Sequence, residues 1–213
     1  MSTNLYLTVG SSGAIWNGRP NVADSDPELY REYDGEGHEA YQIASSSLRA
    51  DGSYDSSFTA AVVNVAGQIL TSLRTGSDLS TWSVSYTASD SLFGINWIPS
   101  YGFVAVGANN LVVRTDDGTT WTESQGATPG ATWLWTAYGN DKIVAVGRAP
   151  VPDPDNPGSS IDQGALMYST DNGETWTAGN PGTKNILQSI AYSPELNTFV
   201  AVGVNGTIVS VKG

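Results

Sequence analysis

The sequence predicts an all-β fold built from five copies of one four-stranded unit. Three observations carry that reading. An apolar strand ending in Val-Gly recurs along the chain. A turn pattern closing on tryptophan recurs behind it. No stretch shows the 3.6-residue apolar periodicity of a core helix.

The clearest strand copies are Phe103-Val104-Ala105-Val106-Gly107, Ile143-Val144-Ala145-Val146-Gly147 and Phe199-Val200-Ala201-Val202-Gly203. Leu7-Thr8-Val9-Gly10 repeats the pattern near the start, and Ala60-Ala61-Val62-Val63 is a weaker copy. A turn follows each, at Gly13, Gly67, Asn110, Gly164 and Gly206, with intervals of 54, 43, 54 and 42 residues. The two long intervals carry insertions, so the unit is about 42 residues, the length of one propeller blade. Five such units fit in 213 residues, whereas six would need about 250. The expectation is a single domain over 1–213, a five-bladed β-propeller with insertions at 19–40 and 148–163.

Within a blade the strands are counted first to fourth from axis to rim. First strands repeat as Ile95-Asn96-Trp97-Ile98-Pro99, Thr136-Ala137-Tyr138 and Ile190-Ala191-Tyr192-Ser193-Pro194. The first repeat lacks a clear first strand. The last reaches Lys212-Gly213 without a fourth. An unpaired edge of that kind invites a partner.

The segments Arg114-Thr115-Asp116-Asp117-Gly118-Thr119-Thr120-Trp121 and Ser169-Thr170-Asp171-Asn172-Gly173-Glu174-Thr175-Trp176 share the pattern x-Thr-Asp-x-Gly-x-Thr-Trp. An aspartate accepts hydrogen bonds from nearby backbone N–H groups, and glycine supplies a positive φ without steric cost. Asp116 and Asp171 are expected to hold the turns and Gly118 and Gly173 to permit them. Trp121 and Trp176 open the fourth strand and pack beneath. Burying an indole stabilises by about 4–6 kcal/mol as an upper bound. A worn copy, Thr75 to Trp82, contributes Asp78 and Trp82, and blade one has Tyr41 at the tryptophan position. The pattern resembles the Asp-box (BNR) repeat of sialidase-like β-propellers and their photosystem-assembly-factor relatives. The resemblance implies that these turns join third and fourth strands on the end away from any ligand, so the aspartates are structural. The assembly factors are larger and use a patch of arginines, and that function does not transfer here.

Composition narrows the function. Net charge is −12 and only Lys142, Lys184 and Lys212 supply ammonium groups, so nucleic acid is not an expected partner. No 18-residue apolar run is present, and the first residues lack a basic segment followed by an apolar core. Neither membrane insertion nor a signal peptide is therefore expected. With no cysteine, thiol catalysis and Cys-zinc sites are excluded. Residues 19–40 hold seven of the 21 acids and should project from the Asp-box end or the rim. The segment 148–163 holds four of the ten prolines and reads as a semi-rigid extended loop on the opposite end.

No enzyme is expected. A sialidase needs three arginines converging on one carboxylate. None of Arg19, Arg31, Arg49, Arg74, Arg114 and Arg148 falls at the axis end of a first strand. A glycosidase needs two carboxylates about 5–10 Å apart. Glu32 and Asp34 have the right chemistry, but they lie in the acidic insertion and read as solvated. His38, the one histidine, stands among Gly and Glu. Asp24-x-Asp26-x-Glu28 and Asp153-x-Asp155-Asn156 place oxygen ligands at alternating positions, as calcium loops and acidic turns both do. No cofactor or resident metal is expected.

Recognition is expected from aromatic groups. Trp133 and Trp135 stand at the entry to the first strand of blade four, after Gly126-Ala127-Thr128-Pro129-Gly130. The equivalent entries carry Asp90 and, later, Lys184 and Asn185. Strand alternation puts both tryptophans on one side of the strand, either in the core between blades or on a ligand-facing rim. These traits resemble those of compact BNR-like phage structural proteins. The resemblance implies a non-catalytic module on a virion (capsid decoration, fibre or tail adhesin) whose partners are other virion or assembly subunits. A carbohydrate-binding lectin is the alternative and a glycoside hydrolase the third reading. Localisation is expected in the virion, with extracellular or cytoplasmic as alternatives.

Overall fold

The computed structural model describes residues 6–9, 15–20, 27–33, 39–45, 58–75, 78–99 and 101–213. These fold into 18 strands in five antiparallel sheets. Sheet 1 holds β1 (Tyr6–Val9), β2 (Ile15–Pro20) and β3 (Pro27–Tyr33). Sheet 2 holds β4 (Ala40–Ser45), β5 (Phe58–Asn64), β6 (Gln68–Thr75) and β7 (Asp78–Thr87). Sheet 3 is β8 (Leu92–Ile98), β9 (Gly102–Gly107), β10 (Leu111–Thr115) and β11 (Thr122–Gln125). Sheet 4 is β12 (Thr132–Gly139), β13 (Lys142–Pro152), β14 (Ser160–Ser169) and β15 (Thr177–Gly179). Sheet 5 is β16 (Leu187–Ser193), β17 (Thr198–Gly203) and β18 (Ile208–Lys212). Among the described residues the helical content is one 3-10 turn at Val204–Gly206.

Each sheet is a meander in chain order, and the sheets stack face to face in the same order. The inner strands β4, β8, β12 and β16 lie beside one another in succession. Among the described residues, β16 makes no comparable contact with β1.

The Val-Gly strands are β1, β5, β9, β13 and β17, the second strand of sheets 2 to 5 and the first described one of sheet 1. Their alternation explains the core. In β9, Phe103 and Ala105 pack back onto Ala61, Val63 and Ile69 of sheet 2. Val104 and Val106, with Val112 of β10, pack forward onto Trp133, Ile143, Ala145 and Met167 of sheet 4. Sheet 4 repeats the rule. Its Val144, Val146 and Leu166 pack forward onto Leu187, Ile190, Phe199 and Ala201 of sheet 5. At the start, Ile15 packs on Val62 and Leu70 of sheet 2. A strand buried on both faces reads as an unbroken apolar run, which is why these segments show no polar alternation.

In three of these runs the closing glycine has a steric cause. Gly107, Gly147 and Gly203 pair with Leu92, Trp133 and Leu187. A methyl group on them would overlap the carbonyl oxygens of Ser91, Thr132 and Ile186. In the turn that follows, Asn109 and Asn110 hold φ of 50° and 64°, and Asn205 and Gly206 hold 56° and 66°. Two successive positive φ values form the hairpin turn that suits strand twist, and asparagine and glycine tolerate them.

Two expectations change. The segment 148–163 is a β-hairpin arm, not a loop. Its ladder runs from Arg148↔Gly164 to Pro152↔Ser160. β12 stops opposite Arg148, so beyond that point β13 is an edge strand, where Pro150 and Pro152 cost no ladder bond on the free side. Asp153 fixes the tip by accepting bonds from Asp155 N (2.9 Å) and Ser159 Oγ (3.3 Å). Tyr41 does not stand at a fourth-strand tryptophan position. It lies in β4, the first strand of sheet 2. The Asp24 and Asp26 pair and His38 fall outside the described residues. Glu28 and Glu32 lie on β3, and Asp34 is likewise outside.

Candidate functional site

Every described inner strand carries one extra residue at the same place. The ladder to the second strand skips between Ala40 and Gln42, Leu92 and Gly94, Trp133 and Trp135, and Leu187 and Ser189. The bulged residues are Tyr41, Phe93, Leu134 and Gln188. A bulge re-aims a side chain out of the strand's alternation. Among the described residues, none of the four joins the packed clusters between sheets. Tyr41 is 39% exposed, and its ring meets Phe93 edge-on with centroids 5.2 Å apart. Its hydroxyl donates to Glu39 Oε2 at 3.0 Å. That bond, with burial and the carboxylate's charge, pushes the phenol above its ordinary range. The inner strands thus present a row of one side chain per sheet, aromatic in sheets 2 and 3, aliphatic in sheet 4 and amide in sheet 5.

The same bulge separates the two expected tryptophans. With Leu134 inserted between them, Trp133 and Trp135 fall on opposite faces, and the expected shared side is corrected. Trp133 is fully buried between sheets 3 and 4. Its indole N–H donates to Asn110 Oδ1 at 3.0 Å, and Asn110 also accepts from Thr128 N (3.2 Å) and donates to Gly126 O (2.9 Å). A satisfied, enclosed indole is a core group, out of reach of a ligand. Trp135 is half-buried against the cluster between sheets 4 and 5.

The polar candidates brace their own entries. Asp90 accepts from Ser91 N at 2.7 Å and from the Asn109 side chain. Asn185 donates to Thr207 Oγ1 at 2.7 Å and accepts from Asn205 Nδ2 at 3.4 Å. Lys184 is exposed, and its carbonyl accepts from Gly164 N at 2.9 Å. Asp90 sits at the entry to sheet 3, and Lys184 and Asn185 sit at the entry to sheet 5. The structure brings none of them into a shared cluster with the tryptophans. Nearby, Glu123 accepts from Tyr86 Oη (3.1 Å), Ser89 N (2.8 Å) and Ser89 Oγ (2.6 Å). Burial raises its pKa, but these bonds outweigh it and the net shift is downward.

The aspartate turns lie at the other end of the strands. Asp171 Oδ1 accepts from Thr175 N (2.9 Å) and Ser169 Oγ (2.7 Å), and Gly173 N donates to Ser169 Oγ (2.9 Å). In the earlier turn the holding carboxylate is Asp117, not Asp116. Asp117 Oδ1 accepts from Thr119 N (2.7 Å), Thr120 N (2.6 Å) and Thr115 Oγ1 (3.0 Å). The hydroxyl residue that starts the network is Thr115 there and Ser169 in the later turn. The earlier turn is therefore one residue shorter, and matching the two by their tryptophans misplaces the acid by one. Gly118 and Gly173 hold φ of 72° and 81°. Trp82, Trp121 and Trp176 each pack toward the preceding sheet. Asp78 opens β7 opposite Thr75.

Sequence reasoning missed Phe93, Leu134 and Gln188 as members of a row. The available signal was Leu92-Phe93-Gly94-Ile95 and Trp133-Leu134-Trp135, where consecutive large apolar residues overfill a period-two strand.

No protein-family model matches the chain, and no curated protein matches it. Solved structures do. A structure of YCF48 bound to D1 peptide superposes with a TM-score of 0.64 at 12% identity, covering 99% of this chain and 60% of that one. The Pan2 WD40 domain of Neurospora crassa gives 0.56 at 13% identity over 99% and 61%. Virginiamycin B lyase from Staphylococcus aureus, as the selenomethionine protein, gives 0.56 at 16% over 99% and 70%. The chain spans about 60% of the length of the first two. These likenesses establish a β-propeller architecture.

Proposed function

We propose that the chain is a non-catalytic binding and structural module of five blades, carried on the surface of a tailed-phage virion and engaging other proteins through its inner-strand row. The observation that carries the reading is the bulge repeated in four consecutive sheets, which frees Tyr41, Phe93, Leu134 and Gln188 from the ladder without giving them to the core. A row of aromatic and aliphatic groups at residue-scale spacing suits an extended polypeptide segment, with large side chains as anchors. The superposition on a propeller holding a peptide supports the same use of the architecture. The acidic, cysteine-free, lysine-poor composition supports the virion setting.

The test is incorporation. Mass spectrometry of gradient-purified particles should find the chain at stoichiometric level, and the double variant Tyr41→Ala, Phe93→Ala should reduce its capture at least tenfold while its melting temperature stays within a few degrees. Absence from particles ends the virion reading. Glycan-array binding lost in the same variant would favour the lectin.

A further inference from the structure

The forward face of sheet 5 departs from every earlier forward face. Val200, Val202 and Ile208 stand at the register positions of Val104, Val106 and Val112, as the pairings Val202↔Ile208 and Val112↔Val106 require. Val104, Val106 and Val112 are 0% exposed, whereas Val200, Val202 and Ile208 are 36%, 45% and 72% exposed. Ser189, Ala191 and Ser210 complete the same face by pairing. In a chain of net charge −12, no carboxylate stands on this face, whose one charged position is Lys212. A solvated face in so acidic a chain would be expected to carry acids. This one keeps the pattern that receives a following sheet.

The complementary pattern exists in sheet 1. Its described forward contacts go to sheet 2. Its backward register positions are Tyr6, Thr8 and Trp16, equivalent by pairing to Phe103, Ala105 and Val113. Those are the positions that, in sheets 3, 4 and 5, cover the preceding sheet's valines. Sheets 1 and 5 of one copy make no comparable contact among the described residues. We propose that the forward face of sheet 5 docks the backward face of sheet 1 of a second copy, head to tail, continuing the sheet-on-sheet packing that the chain already repeats internally. Such a heterologous contact builds a ring or a filament depending on whether its rotation closes. The inference rests on the repeat packing and is independent of the inner-strand row.

Because both partners are acidic, their long-range repulsion is screened by salt while apolar burial is not, so association should strengthen as salt rises. Light scattering and sedimentation across a concentration series, at low and at high sodium chloride, should show the parent assembling. The variant Val202→Lys, Ile208→Lys should weaken self-association at least tenfold without lowering the melting temperature measured at monomeric concentration. The absence of native cysteine permits a second readout. When Val202→Cys and Thr8→Cys single variants are mixed and oxidised, a disulfide-linked heterodimer is expected. A monomeric parent whose lysine variant melts lower would mean closure within one chain and overturn the proposal. So would assembly indifferent to the lysines, or crosslinking confined to Val202→Cys homodimers, which would place two sheet 5 faces against each other.

Discussion

β9 and β17 end on the same five residues, Phe-Val-Ala-Val-Gly, at 103–107 and 199–203, and their surroundings differ. In β9 all five are buried. In β17 burial alternates, with Phe199 and Ala201 enclosed and Val200 and Val202 open. Strand geometry is the same in both. The difference lies entirely in whether a neighbour stands on the forward side. A Phe-Val-Ala-Val strand therefore encodes two contacts of different direction, the large-small pair for the sheet before and the valine pair for the sheet after.

The largest effect expected from that difference comes from a charge on the forward face. Val104→Asp would bury a carboxylate among Ile143, Ala145 and Met167 with no partner, and should abolish cooperative folding or cost upward of about 4 kcal/mol. Val200→Asp, at the matching position of sheet 5, should stay within about 0.5 kcal/mol at monomeric concentration. Chemical denaturation of the two variants measures both. Equal losses would mean that sheet 5 is covered in solution and the comparison is void.

A smaller effect is expected at the outer turns, which sheets 3 and 4 have and which sheet 5 lacks among its described residues. Asp171→Ala removes the acceptor of Thr175 N and the Thr175 hydroxyl and should cost about 1–2 kcal/mol. Asp117→Ala should lower the melting temperature while Asp116→Ala leaves it unchanged. The reverse order would return the holding role to Asp116.

The smallest effect is a pH dependence. Asp117 is held well below the ordinary carboxylate range by the N–H groups of Thr120 and Thr119. Burial pushes Asp171 up, but bonds from Thr175 and Ser169 win and its net shift is downward. A carboxylate with a depressed folded pKa contributes stability in full above its unfolded value, near 4, and loses it as pH falls through the folded value. Melting temperature should thus hold from neutral pH to about pH 5 and fall below about pH 4. Asp171→Asn should show a shallower acid decline, and an unchanged slope would remove Asp171 from the account.

Much of the strand inventory was legible because its causes are local. Gly107, Gly147 and Gly203 each answer a carbonyl oxygen at the entry to the neighbouring inner strand. The tryptophans at 82, 121 and 176 mark where an outer strand meets the preceding sheet. What stayed hidden involves counting rather than composition. One inserted residue, Leu134, leaves hydrophobicity untouched yet sends Trp133 and Trp135 to opposite faces. One residue fewer between Thr115 and Gly118 moves the holding acid from Asp116 to Asp117. The prolines at 150 and 152 read as strand breakers because their compatibility depends on β12 ending where it does, which no local pattern reveals. The candidate row was least legible of all, since Tyr41, Phe93, Leu134 and Gln188 share a place in the ladder and no residue type.

The stacking of sheets in chain order has a consequence for how the molecule opens. Each sheet is one contiguous stretch of chain and, among the described residues, packs on the sheets before and after it, so its stability sums from intrinsic terms and nearest-neighbour interfaces, as in a one-dimensional array. Among the described residues, sheets 3 and 4 have two such interfaces and sheet 5 has one. Amide hydrogen exchange should follow that count, slowest along β9 and β13 and faster along β17 and β18, where loss of a single interface frees the whole sheet. Protection along the chain is then a direct map of neighbours, and any partner that covers sheet 5 would be recorded as slowed exchange at Val200, Val202 and Ile208.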